Sequence, residues 1–114
     1  MYLWNKIGYL DESDCDFSNY NHRIGVYKAI LNGQIVYIGK ATEYYNGGFR
    51  KRLRDYTRIS ESARKSKSGE LMNKYRKDIV IEIIFVDSHQ NGILQANTIE
   101  KNFINQYKPL WNMQ

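Results

Sequence analysis

Two alternating apolar stretches, residues 24 to 31 (IGVYKAIL) and 34 to 38 (QIVYI), flank Asn32-Gly33. Both turn residues tolerate positive φ, and an Asn-Gly pair between alternating runs is the strongest short-range signal for a β-hairpin. A loop is expected over 41 to 49 (ATEYYNGGF). Phe49, Leu53 and Tyr56 then recur at three- and four-residue spacing and predict a helix from about Phe49 to Arg58. A second, more basic helix is expected from Gly69 to Lys77. Residues 78 to 86 (DIVIEIIFV) are β-branched and mostly apolar, as in a central strand. Ala96, Ile99, Phe103, Ile104 and Tyr107 mark the buried face of a last helix, from about Ile93 to Tyr107. Pro109 stops it, because the residue before a proline is pushed out of helical geometry. The expected fold class is α/β: a small three-stranded, mostly antiparallel sheet flanked by helices, in the order β-β-α-α-β-α. Residues 1 to 22 start apolar and turn acidic, with Asp11, Glu12, Asp14 and Asp16. They read as an N-terminal extension that packs Trp4 on a domain spanning 23 to 114, and the acids lack the glycine and spacing of a calcium loop.

A length of 114 residues fits one domain with a modest core. No run approaches a membrane span, and the first residues lack a signal-peptide layout. The single cysteine, Cys15, has no internal partner and no CxxC motif, which fits a reducing compartment and predicts a cytoplasmic protein. Net charge is +5, and its location says more than its size. From Arg50 to Lys77 there are eleven basic residues against three acidic ones, so the rest of the chain is net negative. Such a block points to a polyanion, nucleic acid being the commonest, or to a solvated helix surface.

The hairpin also carries Gly25-Val26-Tyr27 and Tyr37-Ile38-Gly39, with nine residues between the two tripeptides. Lys40 follows directly. Arg52 lies in the first helix with Tyr56 one turn later, Glu100 in the last helix, and Asn112 twelve residues beyond it in YKPLWN. In this order the residues resemble the GIY-YIG endonucleases over positions 24 to 112. The resemblance implies a DNA endonuclease, bacterial or phage-encoded, that hydrolyses phosphodiester bonds with one divalent ion, Mg²⁺ or Mn²⁺, held by Glu100. It implies a restriction-type or mobile-element role; cutting of branched DNA in repair or recombination is the rival, and a nucleic-acid-binding module without activity a third reading. Double-strand cleavage by one site per chain needs a homodimer or two visits, and specificity needs the insertions or a partner.

The residues support roles of their own. Hydrolysis needs a deprotonated water, charge relief at the phosphoryl oxygens and help for the departing 3′ oxygen. Tyr27 serves as base only if its hydroxyl reaches the site and its pKa is lowered, with Lys40 and Arg52 the obvious cations. A strict two-residue turn pairs Tyr27 with Ile38 and sends Tyr37 to the opposite face; a longer loop or a bulge pairs the tyrosines directly. Gly39 allows close approach of the backbone. Arg52, a planar fork of donors, suits the scissile phosphate. Arg50, Arg54 and Arg58 form another stripe suited to flanking phosphates, joined by Lys51, Arg64, Lys65 and Lys67. Glu100 falls at the edge of an apolar helix face, where a carboxylate needs a cation: either a basic partner or a metal. Asn112 either orients the site or closes a helix-exit turn. Between Lys40 and Arg52 the loop is longer than in the repair branch of the family, and Tyr44 or Tyr45 in it can stack on bases. His22 and His89 read as surface residues.

Overall fold

The structure is a computed structural model that describes residues 2–11, 17–58 and 66–113. Four strands, β1 (Asn5–Tyr9), β2 (Ile24–Leu31), β3 (Gln34–Ala41) and β4 (Ile79–Val86), form one antiparallel sheet in the order β1-β4-β2-β3. Three helices cover it: α1 (Gly48–Thr57), α2 (Lys67–Lys74) and α3 (Gln90–Tyr107). The expected three strands and three helices are all present, and β1 is the addition. Its five residues carry few apolar side chains, and the register slips between Lys6 and Gly8, so no clean alternation marks it. Pairing with β4 makes that strand interior to the sheet, which accounts for its unbroken apolar run.

Asn32 and Gly33 close the hairpin with φ of 53° and 79°, the two positive values of a type I′ turn. Leu31 pairs with Gln34, so the turn holds two residues. The slip comes one step later. Ile30 pairs with Ile35 but Ala29 pairs with Tyr37, leaving Val36 as the extra residue of a bulge. Tyr27 then stands opposite Gly39, not opposite Tyr37. Direct pairing of the two tyrosines does not occur, yet the bulge places them diagonally on one face.

The two faces have separate cores. One packs Tyr27, Ala29, Ile79, Ile81 and Ile83 against Phe49, Leu53 and Tyr56 of α1 and Met72 of α2. The other packs Ile24, Val26, Ile38, Ile84 and Val86 against Ala96 and Ile99 of α3. Trp4 joins this second side, its ring 5.1 Å from Phe103 and beneath the Lys28 ammonium. Tyr107, expected in the buried face of α3, is instead exposed and stacked on Phe103. After α3 the backbone turns at Lys108 (φ 45°) ahead of Pro109, and a short 3-10 turn (Leu110–Met113) brings the chain back to the free edge of β3. That return is what delivers Asn112.

Candidate active site

The site is built around the outer edge of β3. Tyr27, in mid-strand, is almost wholly buried, and its hydroxyl lies 2.6 Å from that of Tyr56 on α1. The Tyr27 ring crosses the backbone at Gly39, where any Cβ would run into the phenol. Glycine at 39 is therefore required by the ring that covers it. Gly25 meets a similar limit, since a Cβ there would strike the carbonyl of Ile84. Tyr37 lies beside Tyr27, ring centres 6.2 Å apart, and is only half-buried.

Burial pushes the Tyr27 phenol well above its ordinary pKa, reinforced by Tyr56 and Tyr37, and the opposing pull of Arg52 does not reverse it. Tyr56 is pushed up to about 12, again mainly by burial. The condition set for Tyr27 as a base, an accessible hydroxyl with a lowered pKa, is not met. A buried phenol bonded to a second phenol is held neutral because its charged form would lose more by leaving water than the nearby Arg52 gives back. Tyr37 is the phenol of the three that borders solvent.

Arg52 reaches this group from the solvent side of α1. Burial works against its charge, but neighbouring Tyr27, Tyr56, Glu43 and Tyr37 raise its pKa on balance, so the guanidinium stays charged. It makes no hydrogen bond or ion pair among the described residues, leaving its fork of donors for a ligand. With Glu43, Lys51 and Asp55 it lines a small pocket of about 70 Å³. Glu43 comes from the loop after β3; its carboxylate lies 3.0 Å from Lys51 Nζ, and that hydrogen bond holds its pKa below the usual range. The sequence reading passed over Glu43.

Lys40 and Glu100 approach from the other face. Lys40 Nζ donates to Asn97 Oδ1 at 2.7 Å and lies 3.9 Å from Glu100 Oε1. Asn97 precedes Glu100 by one helical turn and was also missed. Burial is the main influence on Glu100 and raises its pKa, while Lys40 and then Arg52 pull the other way. Arg52 thus feels the phenols of one face and acts on the carboxylate of the other, so the groups expected to meet share one electrostatic neighbourhood. The Asn112 amide clasps Ile38 between the two: its Oδ1 accepts from the Ile38 N–H and its Nδ2 donates to the Ile38 carbonyl, both at 2.8 Å.

As a metal site, Glu100 offers one hard, half-buried carboxylate with no hydrogen-bond donor closer than Lys40. No group of three or more His, Cys, Asp or Glu gathers among the described residues. This fits Mg²⁺, which keeps waters and borrows substrate phosphate oxygens, and does not fit an ion that needs a full protein cage.

Of the expected nucleic-acid contacts, Arg50, Lys51, Arg54 and Arg58 line one groove beside the loop, with Tyr45. Tyr44 does not join them; it packs on the α3-side core, and Tyr45 meets it edge to face. Lys67 opens α2 and is part of a separate depression with Lys74. Arg64 and Lys65 lie outside the described residues. His22 is exposed, as expected, and its Nδ1 lies 2.7 Å from the Tyr44 carbonyl, which ties the loop down. A loop tether of this kind leaves no periodic signal in sequence.

Phenols, cations and one carboxylate thus gather around a glycine-backed strand edge on a small antiparallel α/β sheet. The chain belongs to the UvrC-like GIY-YIG domain family, whose profile matches residues 23–113. It therefore carries a domain of nuclease type. No curated protein and no solved structure matches it significantly.

Proposed function

We propose that this protein is a divalent-metal-dependent DNA endonuclease, with its catalytic groups gathered round the β3 edge. The observation that carries the reading is the geometry at that edge: Tyr37 beside the Tyr27–Tyr56 pair, Arg52 in its pocket, and Lys40 3.9 Å from Glu100. Arg52 grips the scissile phosphate with its open fork of donors, and Lys40 adds a second charge steadied by Asn97. Tyr37, the half-exposed phenol, holds the attacking water; as the water oxygen bonds phosphorus, one of its protons passes to a bulk-solvent water. The bond to the 3′ oxygen breaks in the same step, and that oxygen takes up a proton from solvent. Tyr27 and Tyr56 act behind Tyr37, as a rigid neutral pair that fixes its ring and Arg52. Glu100 would hold Mg²⁺, which when bound supplies Lewis-acid charge at the phosphoryl oxygens.

Supercoiled plasmid incubated with the protein and Mg²⁺ tests this. Wild type is expected to nick it, and Glu100→Ala and Arg52→Ala are expected to lose nicking by roughly 10²-fold or more. Binding without nicking by wild type would make the protein a nucleic-acid-binding module instead.

A further inference from the structure

The loop between β3 and α1 builds a second feature. Its residues 44–46 form a 3-10 turn, fixed from below by Tyr44 and from the side by His22. A carbonyl only accepts, so His22 Nδ1 carries the proton in that bond and Nε2 remains an acceptor in the neutral ring. The loop and α1 enclose a groove of about 430 Å³, within the size range of small-ligand sites. It shares Lys51 and Asp55 with the Arg52 pocket, so the two adjoin.

The lining is mixed in a telling way. Arg54 and Arg58 supply positive charge, and Arg54 Nε is buried with no hydrogen-bond partner among the described residues. Asn21, Asn46 and His22 add hydrogen-bonding edges, and at the lip stands Tyr45, whose ring is 73% exposed. A track for duplex backbone needs only the cations. Amide and imidazole edges beside an exposed aromatic ring match an unstacked base, which offers both a π-face and a free pairing edge. A base inside a duplex offers neither to this groove.

We propose that the groove takes one unpaired nucleotide of the substrate next to the cut. Tyr45 stacks on its base, Asn21, Asn46 and His22 meet the base edge, and Arg54 and Arg58 hold its phosphates. This rests on the nuclease reading above and narrows it to DNA with a flap, gap or branch.

The test is binding by the full chain in EDTA, where no strand is cut, to labelled DNAs of equal length: perfect duplex, and duplex carrying an unpaired flap. The flapped DNA is expected to bind roughly tenfold tighter, the worth of one base stacked on an aromatic ring. Tyr45→Ala should abolish that preference and Tyr45→Phe should keep it; Tyr45 is exposed, so neither change touches the core. Equal affinity for the two DNAs, a Tyr45→Ala loss of equal size on both, or no binding to either overturns the proposal, while plasmid nicking with Mg²⁺ decides the nuclease reading separately.

Discussion

Asn112 grips the peptide of Ile38 from the outside of the sheet, one hydrogen bond to its N–H and one to its carbonyl, both 2.8 Å. β3 is an edge strand, and in antiparallel pairing alternate residues turn their polar groups away from the neighbouring strand. Ile38 is one of these, and the amide completes what a fifth strand would otherwise supply. The clasp fixes Tyr37 and Gly39 on either side of it.

Asn112→Ala should therefore destabilise the fold by about 1–3 kcal/mol, the net worth of two such bonds. Asn112→Asp should be no better, since it replaces the donor facing the Ile38 carbonyl with a second acceptor. Urea unfolding checks this: the midpoint should fall with the slope unchanged. Nicking should fall as well, because Tyr37 loses its support.

The buried Tyr27–Tyr56 pair predicts alkaline behaviour. Both phenols have folded pKa values above the ordinary 10.0, Tyr56 at about 12. A group raised on folding adds stability that is complete below its unfolded pKa and is lost as pH climbs through the folded one. Stability should thus hold to about pH 10 and fall by roughly 2 to 3 kcal/mol from Tyr56 alone as pH passes 12. Absorbance titration should show these two tyrosines ionising last, together with unfolding. Tyr56→Phe leaves the Tyr27 hydroxyl buried without its partner and should cost about 1–3 kcal/mol.

Glu43 predicts a gain rather than a loss. Its carboxylate holds Lys51 and faces Arg52, and so competes with phosphate for both cations. Glu43→Gln should tighten DNA binding in EDTA and steepen the dependence of log K on log salt by about 0.9 per cation released. Unchanged affinity at every salt concentration would show that Lys51 does not meet DNA.

Much of the fold could be read from the chain because its signals are local: Asn32-Gly33 for the hairpin, the Phe49, Leu53, Tyr56 stripe for α1, and Pro109 beyond α3. β1 escaped because its pairing depends on β4, some seventy residues later, and its own register slips at Ile7. The residues of the site were named from their order along the chain, but their environments were not. Nothing local says that Tyr27 is covered by α1 while Tyr37 meets solvent, since that difference follows from the bulge at Val36 and from where the helix lands. Glu43, Asn97 and His22 were missed because each acts through one long-range contact and belongs to no periodic pattern.

The central claim is that Arg52, from one face of the sheet, and Glu100, from the other, serve one phosphate across the β3 edge. A double-mutant cycle on kcat/KM for nicking, with Arg52→Ala, Glu100→Ala and the pair, tests it most directly. Residues acting on one transition state are not additive, so the double variant should be little slower than the slower single one. Losses that multiply would show that the two residues are not coupled and contradict the account.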